Sequence, residues 1–250
     1  MFLKETKNKH IQLCDIERRV VCEIYIERRF IMNTIKFASG NVKMVAHRGC
    51  SGLEKENTNI AFVAAGSRSY FGIESDVHIT ADGKYVIIHD DTTTRVAGVE
   101  YKVEETDFDT LRSLELLDVN GKPGRTDIKI PTLEEYILIC KKYEKAAVLE
   151  LKNAFTKEQI GEIADIISSL EYFENVIFIS FNLQNLIYLK ELRPQAVAQF
   201  LTGKFTDDLI DTLVKYSLDI DIHYSQLNVD TVYAFKKAGI KINCWTCDKP

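Results

Sequence analysis

Four short stretches place acid, base and cation side chains where a strand end could turn them into a site. The first is His47-Arg48-Gly49, directly after the apolar run Met44-Val45-Ala46. An arginine there offers a planar fork of donors suited to phosphate or carboxylate. Gly49 lets the chain turn sharply and brings backbone N–H groups near an anion. The second stretch is Gly72-Ile73-Glu74-Ser75-Asp76-Val77-His78. Side chains alternate along a strand, so Glu74, Asp76 and His78 share one face. Two carboxylates held close repel each other unless a cation lies between them. Hard oxygen ligands at this spacing suit Mg2+ or Ca2+. The competing reading is a pair of solvated acids on an edge strand, but a strand flanked by helices is rarely an edge. His78 lies further along the strand, either behind the acids or at the surface.

The third stretch follows a tight turn, Ala81-Asp82-Gly83-Lys84, whose Asp-Gly pair is a hairpin signal. The strand after it, Tyr85 to Ile88, returns to the same rim and delivers His89-Asp90-Asp91 there. Beside a metal and Arg48, His89 joins His47 as an acid–base candidate. The fourth is Val148-Leu149-Glu150-Leu151-Lys152. Glu150 and Lys152 share a face; the acid would complete a three-carboxylate metal site, and the lysine would supply charge to a phosphate. A surface ion pair is the alternative for these two. Ser180-Phe181 and Trp245 end later strands, where aromatics line a pocket or simply join the core. Glu56-Asn57-Thr58 precedes an apolar helical run, so Asn57 or Thr58 caps that helix.

These residues need a frame, and the chain supplies one. From about Lys43 it alternates short β-branched runs with longer amphipathic segments, the signature of βα units around a parallel sheet. Strands are expected at Met44–His47, Gly72–His78, Ala147–Leu151, Val176–Ser180, Ala196–Leu201, Leu218–Ile222 and Ile240–Trp245. Helices are expected at Thr132–Tyr143, Lys157–Leu170, Leu183–Leu192 and Val229–Ala238, with Thr156 and Asn228 as N-caps and Gln159 reaching back to the Thr156 end. The alternation predicts a (β/α)8 barrel, whose site lies at the C-terminal ends of its strands. Seven strands are visible where such a barrel has eight, so the closing strand is expected to be missing. Residues 1–42 form an extension of unknown role with an apolar-alternating piece from Val20 to Met32. Residues 43–250 form the barrel, with an insertion at about 90–130 around a helical piece, Asp109–Leu117.

Composition excludes several classes. The net charge of −5 leaves no basic surplus for nucleic acid. No apolar run is long enough to span a membrane, and the first ten residues carry no apolar secretory core, so a cytoplasmic location is expected. Six cysteines in 250 residues do not make a disulfide framework. Cys244-Trp-Thr-Cys247 lacks the second pair that a zinc site needs, so buried, reduced thiols are expected.

Taken together, His47-Arg48, Glu74-x-Asp76 and His89-Asp90 resemble the signature of the glycerophosphodiester phosphodiesterase family. Glu56-Asn57-Thr58 is similar to that family's Glu-Asn-Thr motif, and Glu150-Leu-Lys152, Ser180-Phe181 and Trp245-Thr246 fall where its later motifs fall. The resemblance covers about residues 43 to 250. It implies a TIM barrel of the phospholipase-C-like phosphodiesterase type that hydrolyses glycerophosphodiesters to glycerol 3-phosphate and an alcohol. It further implies a divalent metal, Mg2+ or Ca2+, on Glu74, Asp76 and Glu150, with His47 and His89 as general acid and base. Arg48 and Lys152 would hold the phosphate, while Phe181 and Trp245 would pack near the glycerol. Lys55 stands where family members often carry proline, which would loosen that loop. The implied partner is a small glycerophosphodiester, with neither nucleic acid nor stable membrane insertion. Two rival functions are a lysophospholipase D-type activity on lysolipids and a catalytically degenerate barrel that binds phosphorylated ligands. The charge of the Asp90–Lys129 region disfavours the first, and the presence of every candidate acid and histidine disfavours the second.

Overall fold

The structure, a computed structural model, describes residues 35–36 and 40–247. The Val20 to Met32 piece lies outside the described residues. Among the described residues eight strands form one sheet: β1 (Val45–Ala46), β2 (Gly72–Ile79), β3 (Tyr85–Ile87), β4 (Ala146–Leu151), β5 (Val176–Ser180), β6 (Val197–Thr202), β7 (Asp219–His223) and β8 (Ile242–Trp245). Seven run parallel in the order β1-β2-β4-β5-β6-β7-β8, and β3 hangs antiparallel from β2. Among the described residues β1 and β8 end the order unpaired with each other, so the curled sheet stays open as the seven-strand count predicts.

Helices α1 (Asn59–Gly66), α2 (Thr94–Ala97), α3 (Phe108–Ser113), α4 (Leu133–Lys142), α5 (Lys157–Ser169), α6 (Leu183–Leu192), α7 (Leu209–Tyr216) and α8 (Val229–Lys237) fill the connections. The expected caps form. Thr156 and Gln159 make a reciprocal capping box on α5, and Asn228 and Thr231 make one on α8. Helix α7 lies outside the helices expected from the sequence; its Leu209 and Leu213, one turn apart, are buried.

Burial explains the strand sequences. β2 is buried at every position except its last, because helices cover its outer face and the barrel lumen its inner face. Ile73, Val77, Leu149 and Leu151 face outward into the main core with Phe62, Tyr136 and Ile137. The intervening positions face inward, where Val148, Ile179 and Leu201 form a small cluster against Val45, Ile177 and Trp245.

The long connection after β3 carries its own core of Val86, Ile88, Val96, Val103, Leu111, Leu116, Ile128 and Ile130. Its helix is shorter than expected. α3 ends at Ser113, and Leu114 turns extended, so that the Leu117 N–H pairs with the Val96 carbonyl (2.8 Å) and Leu116 is buried. Packing onto this second core outweighs the helical propensity of Leu114–Leu117. Strand ends differ from expectation by one or two residues, most at β1 and β8, which are trimmed to Val45–Ala46 and Ile242–Trp245.

Candidate active site

β2 and β4 are adjacent and parallel, and Asp76 stands opposite Glu150 in their register. With Glu74 one inward position earlier, three carboxylates converge, each offering an oxygen within 4.8 Å of the others. All three are buried, Asp76 completely. Burial, reinforced by Asp76 and Glu150, pushes the Glu74 carboxyl well above the usual carboxylate range. Burial and Asp76 raise Glu150 to about 7, against the pull of Lys152. Asp76 Oδ1 is buried without a hydrogen-bond partner. An acidic cluster with an orphaned oxygen is what a hard divalent cation satisfies; Glu74, Asp76 and Glu150 fit that ion.

Basic groups surround the acids. Lys152 Nζ lies 3.0 Å from Glu150 Oε1 and 3.8 Å from Asp76 Oδ1. The loop after β1 brings the rest. Arg48 sits at φ +55° and Asn57 at φ +53°, both in the left-handed region that is costly for residues with a Cβ. That geometry aims the Arg48 backbone N–H at Glu74 Oε2 (2.8 Å) and the Asn57 N–H at the Arg48 carbonyl (3.1 Å). Gly49, at φ +75°, packs so tightly on α1 that a Cβ would lie 2.7 Å from the Ala61 carbonyl carbon. Thr58, not Asn57, caps α1. Asn57 Nδ2 instead donates to Asp76 Oδ2 (2.7 Å), and its Oδ1 accepts from Ser75 Oγ (3.0 Å). Lys55 is buried, and its backbone carbonyl accepts the Thr58 hydroxyl (2.6 Å).

His47 Nε2 is 3.9 Å from Glu74 Oε2, with the ring nearly half exposed. The hairpin of β2 and β3 delivers His89 as predicted, and its Nδ1 lies 2.6 Å from Asp90 Oδ1. Of the two places expected for His78, the structure excludes the surface. The residue is fully buried, its Nε2 sits 3.3 Å from the His89 carbonyl, and burial lowers its pKa. Phe181 and Trp245 meet edge to face, ring centres 5.6 Å apart, and Trp245 also packs against His223 at 5.0 Å. Ser180 is fully buried and donates to the Leu151 carbonyl (2.7 Å), a packing role. His47, Glu74, Gln199, Asp221 and Trp245 line one open cleft of about 1770 Å3.

Three features escaped the sequence reading. Glu56 accepts from Arg48 Nη1 (3.0 Å); burial opposes its ionisation, but Arg95 and Arg48 together hold its pKa low. Arg95 joins Glu56 to Asp90. Asp221 is buried on β7 with Oδ1 unpartnered, and burial raises it to about 7. The alternation Asp219-Ile220-Asp221-Ile222 was the available signal for that last acid. The cysteine expectation is corrected in part: Cys50 and Cys140 are buried, but Cys244 is half-buried and Cys247 exposed, because Cys247 lies beyond the end of β8. No helix among the described residues is long and apolar enough to cross a membrane.

Residues 47–250 match the sequence profile of the glycerophosphoryl diester phosphodiesterase family. A glycerophosphodiester phosphodiesterase of Caldanaerobacter subterraneus is 30% identical over 214 residues, covering 82% of this chain and 86% of that protein. Among solved structures, an Oleispira antarctica phosphodiesterase in complex with the product sn-glycerol-3-phosphate aligns with a TM-score of 0.73 and 27% identity. That alignment covers 83% of this chain and 85% of the other. The glycerophosphodiester phosphodiesterase of Thermotoga maritima aligns with a TM-score of 0.69 and 26% identity over 85% of this chain and 89% of its own. The motif residues, the open curled sheet and these relatives converge, and the chain belongs to the glycerophosphoryl diester phosphodiesterase family.

Proposed function

We propose that this chain hydrolyses glycerophosphodiesters to glycerol 3-phosphate and an alcohol, with a divalent cation, Mg2+ or Ca2+, held by Glu74, Asp76 and Glu150. The observation that carries the reading is the buried three-carboxylate cluster ringed by Arg48, Lys152 and His47 at one rim. The product complex of the Oleispira antarctica relative supports the glycerol 3-phosphate side.

A cation held by Glu74, Asp76 and Glu150 would supply positive charge to offset that of the phosphodiester and of its five-coordinate transition state. Arg48 is built to share that task. Glu56 holds its Nη1, while its buried Nε has no hydrogen bond and lies 3.8 Å from Asp76. Lys152, directly after β4, adds a further positive charge beside Glu150. His89 is oriented by Asp90, whose carboxyl Arg95 and then His89 hold below the usual carboxylate range. With Nδ1 donating to that carboxylate, Nε2 carries the lone pair and accepts a proton from the attacking oxygen. The complementary role, protonating the leaving alkoxide, falls to His47. Phe181 and Trp245 offer an apolar corner for the carbon skeleton.

The test is glycerol 3-phosphate release from glycerophosphoethanolamine with Mg2+, Ca2+ or EDTA. Release that needs the cation supports the reaction class. Folded protein that releases none with either ion refutes it.

A further inference from the structure

Arg95 lies on the short helix α2, away from the strand ends that carry the other site residues. We infer that Arg95 is a positioning residue that locks His89 and Arg48 into one geometry; the inference rests on the phosphodiesterase reading of this site. Its guanidinium is gripped from two sides. Nε and Nη2 donate to the two oxygens of Asp90 (2.7 and 3.0 Å), and Nη1 and Nη2 donate to those of Glu56 (2.7 and 2.9 Å). Four of the five donors of an arginine are therefore used on two carboxylates. Each carboxylate then holds a second group: Asp90 accepts from His89 Nδ1 (2.6 Å), and Glu56 accepts from Arg48 Nη1 (3.0 Å). The result is a continuous chain, His89–Asp90–Arg95–Glu56–Arg48, that joins the hairpin side of the rim to the β1 loop.

An isolated surface ion pair contributes little, and the Arg95 side chain is 44% exposed. Three observations separate this case. Both contacts are bidentate, which fixes orientation as well as distance. The partners are less exposed than Arg95, Glu56 at 19% and Asp90 at 28%. The two carboxylates are 34 residues apart in sequence, so no local turn keeps them in register without the arginine. A saturated guanidinium also has little left for substrate, which makes Arg95 a positioning residue and Arg48 the phosphate contact. Lysine cannot replace it, because an ammonium presents no fork to grip two carboxylates at once.

The experiment uses the full chain with Mg2+ and glycerophosphoethanolamine. Arg95→Ala lowers kcat on the order of 10²-fold, the cost of misplacing a reacting group by about 1 Å, while the thermal midpoint moves little. Arg95→Lys stays low, and added guanidinium ion restores Arg95→Ala where methylammonium does not. In a His89→Ala background, Arg95→Ala costs much less than in wild type, because coupled residues are not additive. A kcat for Arg95→Ala equal to wild type's, or an undiminished loss in the His89→Ala background, overturns the inference. An activity-free readout separates it from the phosphodiesterase reading: imidazole 15N NMR on the five histidines, with His89→Ala for assignment. Arg95→Ala shifts the His89 signal if the inference holds and leaves it unmoved if it fails. An inactive wild type with a shifted His89 counts against the phosphodiesterase reading alone.

Discussion

Without a bound cation, the protein should lose stability as pH rises through neutrality, and Glu150 sets the scale. Its carboxyl is raised from an ordinary 4.5 to about 7 by burial and by Asp76. The folded state therefore holds this proton more tightly than the unfolded chain does. The stabilisation is fully present below pH 4.5 and is lost as pH climbs through 7. A difference of about 2.5 pH units corresponds to about 3 kcal/mol. Glu74 moves in the same direction, and Asp221, raised from 3.8 to about 7, adds a loss of the same sign. The lowered groups, Glu56 and Asp90, act in acid, below this window. In EDTA, between pH 5 and 8, the thermal midpoint should fall by about 6–12 °C for the Glu150 contribution, at roughly 2–4 °C per kcal/mol for a chain of this size. Excess Mg2+ or Ca2+ should reverse most of the fall, since a cation favours the ionised carboxylates. Glu150→Gln should remove the Glu150 share of the fall in EDTA, leaving the part due to Glu74 and Asp221, and abolish the response to metal. A flat wild-type profile in EDTA would refute the electrostatic argument; metal stabilisation of Glu150→Gln equal to wild type's would refute the ligand set.

Three further outcomes test the site. His47→Ala and His89→Ala should each lower kcat by about 10²–10⁴-fold with KM little changed; steady-state kinetics with near-normal kcat would remove that histidine from the chemistry. Gly49→Ala forces a Cβ to 2.7 Å from backbone at a φ of +75° and should cost about 2 kcal/mol or more in urea unfolding; an unchanged midpoint would show that α1 yields there. Trp245 is the one tryptophan in the chain, so its emission reports on the rim alone. Adding glycerol 3-phosphate should change that emission in wild type but not in Arg48→Ala; no change in wild type would place the ligand away from Trp245.

Local patterns were legible in the sequence because their causes are local. The Asp82-Gly83 turn, the capping box at Thr156 and the alternation of Glu74 and Asp76 depend on neighbours a few residues away, and each appears in the structure. The shorter α3 shows the limit: its Leu116 is claimed by a core built with Val86 and Ile128 from other segments. Arg95 was illegible for the same reason, since its role depends on Glu56, 39 residues earlier, arriving beside it. Asn57 looked like a helix cap because the next residue is one. Only the fold shows its amide turned to Asp76.

The rim divides by chemistry, and the sheet order explains how. Every charged candidate comes from β1, β2, β4, the hairpin strand β3 or the loops that follow them, which are contiguous in the sheet: His47, Arg48, Glu74, Asp76, His89, Glu150 and Lys152. The aromatic candidates follow β5 and end β8, and although those strands are three steps apart in the order, their rings meet at 5.6 Å. Such contact requires the sheet to curl, so the curvature that makes a barrel also sets a polar wall against an apolar corner. A phosphodiester of glycerol has the matching division, a compact anion beside a short carbon chain. The apolar corner at Phe181 and Trp245 matters to the charged wall as well. Displacing water there strengthens the attraction between a bound anion and Arg48 or Lys152. Truncating Phe181, which is half-exposed and holds no metal ligand, should therefore weaken anion binding and cation-dependent turnover together.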